Sequence, residues 1–465
     1  MLTSLSEKRI WSFTPALILA CVAISLLFVL HPRLGIRDVD GYAYIMGARS
    51  LHEGKGYRSL TGEAFNHWPP GYSLVLSVFS DSIHAAMLVN YLSFGVAVGL
   101  LYYLLRQSGW SWQAAGGFST TLASGFFRLL ANQAHADILT YALFFAAICV
   151  SQWRKSRMLP SLTWACLIPV KLIAVVFLPA ALVADRIAFR QGWKNLLRLY
   201  IPGVVASVTV IASILFFNYV TIGTWIPSSD KHTSLKMLIS GTRGFLYSIP
   251  REFLFNWHGS AMAPFPRIAF PAVVLLAATC VFSLRPAAEC KWFTVYGVSC
   301  LVCSGLLLCV RWYDPFVRLV GYGLIILFLG FRPKRWANPI WLLYGFLSLA
   351  IAGVNAMTVN SLGSNDPRYA DLAVQVRSHY RASEIVATNS FHLLDLHANI
   401  PSVPLTDYGD TAQYETFLWI TLPSFDPGAS PVTAIAHPGQ DWCEQRQFAG
   451  GILFSRCKHS GGQAR

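Results

Sequence analysis

Long apolar runs separated by short polar breaks set the plan of this chain. The first run, Ile10 to Leu30, follows Lys8-Arg9. It holds about 20 residues, enough to cross the hydrocarbon of a bilayer at ~1.5 Å per residue. A cleaved signal peptide is the rival reading, but the run is too long for one and no small-x-small cleavage site follows it. Further apolar runs predict membrane helices over about 83–105, 113–131, 136–153, 199–220, 268–284, 292–310, 316–331 and 338–357. Met158 to Ala184 has basic clusters at both ends, which predicts two short helices turning near Pro169-Val170-Lys171. The pattern gives about eleven membrane segments.

After Met357 the pattern changes. Residues 361–465 are polar enough to be soluble. Arg368 to Tyr380 reads as a helix with apolar positions at Leu372, Val374 and Val376, and Glu384 to Thr388 and Ile452 to Phe454 read as short strands. The chain thus divides into a membrane module, 1–360, with long outer loops over 31–82 and 221–266, and a small soluble α/β domain, 361–465. No internal repeat stands out.

Composition agrees with a membrane protein, since 54% of residues are apolar and 12% are charged. The basic clusters fall on one face if the N-terminus is cytoplasmic, which puts the C-terminal domain outside. The net charge of +14 is dispersed along membrane borders, which argues against a nucleic-acid partner. The long loops break the charge rule: one carries Arg33, Arg37, Arg49, Lys55 and Arg58, the other Lys231, Lys236, Arg243 and Arg251. Either long loops tolerate positive charge, or these residues rim a site for an anion such as a lipid phosphate. Cys300-x-x-Cys303 lies inside an apolar run and reads as packing. Cys443 and Cys457 lie in the outer domain, where an oxidising compartment permits a disulfide.

The first loop holds the chemistry. Asp38 and Asp40 stand two residues apart, and Asn66-His67-Trp68-Pro69-Pro70-Gly71-Tyr72 forms a stiff aromatic turn. A carboxylate at the membrane border can act as a general base, and either aspartate fits. Alternatively Asp40 caps a helix over Gly41 to Leu51, or the pair binds a divalent cation. The metal reading is less favoured because no third ligand is obvious nearby, so no cofactor is expected. Lys171 sits among apolar residues, where an ammonium needs an anion, water or a route to the interface. In the first case it points into a polar cavity. Arg318 poses the same problem and could pair with Asp314. His135 and Asp137 lie at another outer turn and could line the cavity.

These residues resemble the GT-C superfamily of integral-membrane glycosyltransferases. The similarity is to the branch containing aminoarabinose transferase and the dolichyl-phosphate-mannose protein mannosyltransferases. There the first outer loop carries an Asp with a Tyr four residues on, matched by Asp40 and Tyr44. A Pro-Pro turn with an aromatic is matched by Pro69-Pro70-Gly71-Tyr72. An intramembrane Lys with a Pro eight residues later, which contacts the lipid phosphate, is matched by Lys171 and Pro179, and a late Arg by Arg318. A soluble outer C-terminal domain is also common there. Two positions depart: Gly41 stands where many relatives have Glu, and Trp68, with His67 before it, where the aminoarabinose branch has Lys.

The resemblance implies a multi-pass α-helical GT-C fold and transfer of a sugar from a polyprenyl-phosphate donor, with inversion, to a lipid, glycan or protein acceptor outside the membrane. Asp40 or Asp38 would be the base, and Lys171, Arg318 and Arg243 would meet the donor phosphate. Tyr44, His67, Tyr72, His135 and Asp137 would line the loop and cavity. A transporter, a polysaccharide polymerase or ligase, and a non-catalytic relative are the alternatives. No Asn-x-Ser/Thr sequon occurs, which favours a bacterial inner membrane over the endoplasmic reticulum.

Overall fold

The computed structural model describes residues 2–31, 39–66, 68–124, 130–152, 159–190, 192–225, 239, 242–243, 269–310, 314–359, 367–380, 385–388, 394–395, 397–404, 415–420, 442–449 and 451–457. Its helices are α1 (Leu2–Leu30), α2 (Val39–His52), α3 (Gly71–Leu76), α4 (Ser82–Gln107) and α5 (Trp112–Ser124). Then come α6 (Asp137–Gln152), α7 (Leu159–Ala165), a 3-10 turn at Leu172–Val176, α8 (Phe177–Phe189) and α9 (Trp193–Ile222). The series closes with α10 (Ala269–Phe282), α11 (Lys291–Val310), α12 (Asp314–Leu329), α13 (Asn338–Val359) and α14 (Pro367–Arg377). A helix stands wherever an apolar run predicted one. The stretch near Pro169 breaks into α7 and the turn leading into α8, as the flanking charges required.

Two compact units result. The first comprises Met1–Pro32, Pro69–Tyr72 and Met87–Met357. Among its described residues, five apolar stretches are long enough to cross a membrane: Phe13–Leu30, Ser82–Gln107, Leu172–Phe189, Trp193–Ile222 and Ala288–Leu307. The second of these begins at the border with the other unit. Small residues let the helices approach. A Cβ on Gly95 or Gly99 of α4 would lie 2.9 Å from the carbonyl oxygen of Ala20 or Ala16 on α1, so this small-xxx-small pair sets the crossing. Aromatic rings fill the centre: Tyr141 stacks on Tyr322 at 3.9 Å, and Phe144 packs on Phe177 at 4.7 Å and on Tyr322 at 4.8 Å.

One local pattern recurs within this unit. Strand β1 (Leu284–Pro286), a 3-10 turn at Ala288–Cys290 and α11 recur as β2 (Phe331–Pro333), a 3-10 turn at Arg335–Ala337 and α13. The two strands pair antiparallel with Arg285 opposite Arg332. This is a local structural repeat. It escapes the sequence because little more than the Arg-Pro dipeptides is shared.

The second unit comprises Arg33–Trp68, Ser73–Ala86 and Thr358–Arg465. Its sheet has the order β4-β3-β5-β7-β6, where β3 is Val386–Thr388, β4 Ser402–Pro404, β5 Thr416–Ile420, β6 Trp442–Phe448 and β7 Gly451–Arg456. The first three strands in that order run parallel and the last two pairings are antiparallel. Helix α14 covers it through Leu372, Ala373 and Val376, which pack with Val386, Leu418 and Leu453. Val374 is 62% exposed, because residues 372 and 376 fix the buried face at helical spacing and 374 points away. Cys443 and Cys457 form a disulfide with their Cα atoms 5.0 Å apart, pinning β6 to the end of β7.

Candidate active site

Helix α2 begins at Val39, so Asp40 lies inside the first turn instead of preceding the helix as a cap. A negative charge there is favoured by the helix dipole. Its Oδ1 accepts a hydrogen bond of 2.9 Å from Nε1–H of Trp68. That indole packs edge-on to Phe65 at 6.0 Å, and Phe65 packs in turn on Tyr57 at 5.5 Å and Tyr42 at 6.1 Å. The aromatic turn of the first loop therefore holds the carboxylate while leaving it half-buried. Trp68 occupies the position where the resembling branch carries Lys, and it supplies a neutral N–H donor in place of a cation. Asp38 and His67 lie outside the described residues.

The rest of α2 turns its apolar side inward, and Tyr44 is 4% exposed. The Tyr44 carbonyl accepts the hydroxyl proton of Ser73 at 2.8 Å. Tyr42 and Asp395, neither among the candidate site residues read from the sequence, join within this unit. Tyr42 donates its hydroxyl to Oδ2 of Asp395, and Oδ1 of Asp395 accepts from the backbone N–H of Ser402 at 2.8 Å and its hydroxyl at 2.6 Å. Arg49 donates to the Asp395 carbonyl at 3.3 Å and to Ser82 Oγ at 3.1 Å. Burial pushes the Asp395 carboxyl up to about 6, against the pull of its hydrogen bonds and of Arg49. Burial and the Asp395 charge likewise raise the Tyr42 hydroxyl far above its ordinary range. The available signal was a lone acid between leucines, Leu394-Asp395-Leu396.

In the other unit, Lys171 caps the 3-10 turn at Leu172–Val176 and is 8% exposed, so it does not snorkel to a surface. Its Nζ donates to Oδ1 of Asp137, a buried ion pair, with His135 Nδ1 3.9 Å from the other Asp137 oxygen. Such a pair stands in the low dielectric only while both partners remain. The described partner of this lysine is thus a carboxylate, one of the partners an ammonium needs in apolar surroundings. The turn before it is locked. Gly71 N–H donates to the Pro169 carbonyl at 2.7 Å, and a Cβ on Gly71 would sit 2.4 Å from that oxygen, so glycine is required. Tyr72, fully buried, donates to Asn90 Oδ1 at 2.8 Å, and Asn90 donates to the carbonyl of Gln133, next to the loop that carries His135 and Asp137. The Pro-Pro-Gly-Tyr turn, the Lys171 turn and the His135–Asp137 loop therefore interlock.

Arg318 belongs to α12, and its side chain and its suggested pairing with Asp314 lie outside the described residues. Arg243 is exposed on a helical fragment. Among the described residues, no group of three or more His, Cys, Asp or Glu is placed to hold a metal ion. The chemistry on hand is a half-buried carboxylate on an indole donor and a buried ammonium–carboxylate pair.

No protein-family model and no curated protein matches the chain by sequence. Solved structures do match. ArnT from Cupriavidus metallidurans bound to undecaprenyl phosphate has a TM-score of 0.57 at 13% identity, covering 96% of this chain and 99% of that one. The same protein in the apo state has a TM-score of 0.53 at 14% identity, covering 94% and 97%. The chain therefore has the fold of ArnT over nearly its whole length.

Proposed function

We propose that this chain transfers a sugar from a polyprenyl-phosphate-linked donor to an acceptor on the outer side of the membrane. The observation that carries the reading is Asp40, held by Trp68 in the first loop of a fold whose solved neighbour binds undecaprenyl phosphate. Asp40 accepts the proton of the acceptor hydroxyl or amine as that nucleophile attacks the anomeric carbon. The carbon–oxygen bond to the donor phosphate breaks with inversion, and the polyprenyl phosphate leaves with the bonding electron pair. Lys171 neutralises that phosphate, with Asp137 orienting the ammonium, and its buried position strengthens the attraction. Phosphate leaves readily once a cation meets its charge, so no protein acid is needed.

The test is Asp40→Asn, which keeps size and polarity and removes the base. Transfer from a radiolabelled polyprenyl-phosphate sugar should fall ~10²–10⁴-fold with expression unchanged. Undiminished transfer in Asp40→Asn would remove this residue from the reaction, and activity restored by a divalent cation would return the Asp38–Asp40 pair to the metal reading.

A further inference from the structure

The end of α2 remote from Asp40 opens onto a cleft of about 600 Å³ that the proposed reaction leaves unused. This volume lies within the range of small-molecule sites. Three segments wall it. Arg49 and His52 come from the last turn of α2 with Glu53 just after it, His84 from the first turn of α4 with Asp81 just before it, and His397 and Asn399 from the segment before β4. The floor is rigid, because Arg49 is fixed by Ser82 and by the Asp395 carbonyl. Asn399 holds a left-handed backbone, φ 53°, a conformation in which asparagine is among the few tolerated side chains.

The charges in this cleft balance. Arg49 faces Asp81 and Glu53, and Glu53 pairs with Lys55 at 2.6 Å. Asp81 accepts from the backbone N–H groups of Ile83 and His84 at 3.0 Å and meets His84 Nδ1 at 2.7 Å. Partial burial pushes its carboxyl up, but those contacts outweigh it and hold Asp81 below its ordinary value. His397 is pushed down by burial and by Arg49, so its imidazole is neutral at pH 7 and offers one donor and one acceptor. His52 Nδ1 lies 2.9 Å from the Ser77 carbonyl. A polyanion finds no surplus of positive charge here, and an ammonium finds no unopposed acid. Hydroxyl groups, each both donor and acceptor, suit carboxylate, amide and neutral imidazole set side by side.

We propose that this cleft is a subsite for an uncharged sugar residue of an extended acceptor. The word acceptor rests on the transfer reading; the sugar specificity does not. Asp40 and His52 are twelve residues apart on α2, about 18 Å at ~1.5 Å per residue. A sugar in the cleft is therefore several rings removed from the one being joined, and it is not the donor's. Binding at such a remote point anchors a glycan chain, and its loss raises KM without lowering kcat.

The experiment uses the full chain purified in detergent and saturation-transfer NMR with methyl glucoside, methyl galactoside and methyl N-acetylglucosaminide. At least one should receive saturation from the protein, and excess inorganic phosphate should not displace it. Asn399→Gly removes a lining side chain where the backbone favours glycine, so the fold is kept. It should weaken sugar binding about tenfold, the equivalent of one or two hydrogen bonds. Glu53→Gln should weaken it in the same direction. Competition by a soluble tetrasaccharide, or by micelles carrying a hexosyl diacylglycerol, identifies a free glycan or a glycolipid as the source. Asp40→Asn should bind the sugar normally, so a failed transfer reading leaves this result standing. Silence from all three glycosides, displacement by phosphate, or equal signals in Asn399→Gly and the parent chain would overturn the proposal.

Discussion

Tyr42 donates its hydroxyl to Asp395, joining residues 353 positions apart within one compact unit. The helix that carries Asp40 is thereby fastened to the sheet domain at the other end of the chain. Arg49, seven residues further along α2, adds a second bond to the Asp395 carbonyl. The first loop consequently owes its position to residues beyond 390, and damage there should be felt at Asp40 without touching it.

Asp395 makes that fastening sensitive to pH. Its carboxyl, ordinarily at 3.8, is raised to about 6 in the folded chain. The folded state therefore holds its proton more tightly, and the stabilisation is fully present below pH 3.8 and lost as pH rises through about 6. Two pKa units correspond to about 3 kcal/mol. Protection of the segment around Asp395 from proteolysis should decline across this window in the parent chain and hold level in Asp395→Asn. The same slope in both would place the titrating group elsewhere. Tyr42→Phe should cost about 1–3 kcal/mol, and more above pH 6 than below it, because the lost bond favours the ionised Asp395.

The Lys171–Asp137 pair changes how the donor site must be tested. Lys171→Ala alone strands a buried carboxylate, at a cost of about 3–5 kcal/mol, and a lost activity would then report misfolding. Lys171→Met combined with Asp137→Leu removes both charges and should unfold within a few degrees of the parent in a thermal scan. That double variant should still fail to bind the polyprenyl-phosphate sugar. Normal donor binding by it would take Lys171 out of the phosphate site.

Apolar length located the membrane helices well, because a span needs about 20 residues and little else satisfies it. The break at Lys171 was equally legible, since basic clusters on both sides left one way to fold the segment. The C-terminal sheet domain is less legible. Strands as short as Val386–Thr388 carry too few residues for alternation to show. The Asp395 network was out of reach: its members lie in three parts of the sequence, and nothing local marks Tyr42 or Ser402 as partners. Trp68 departs from the resembling branch, and its indole N–H meets Asp40.

The distribution of Lys and Arg predicts which side of the membrane each loop faces. Reporter fusions after Lys55 and after Asn365 should both read the outer compartment, since the two sites belong to the same compact unit. A cytoplasmic reading at either would reverse the orientation and exclude an outer acceptor.

Trp68 offers the sharpest test of Asp40. Trp68→Phe keeps a ring against Phe65 and deletes the N–H that meets the carboxylate. A hydrogen bond to a charged group contributes about 1.5–3 kcal/mol, so kcat should fall roughly 10–100-fold. Donor KM should stay put, because Trp68 acts through the orientation of Asp40. In the Asp40→Asn background the same substitution should cost almost nothing further, since residues acting as one unit are not additive. A full second loss there would show that Trp68 holds the loop by packing alone. Normal kcat in Trp68→Phe would mean that the carboxylate does its work without the indole.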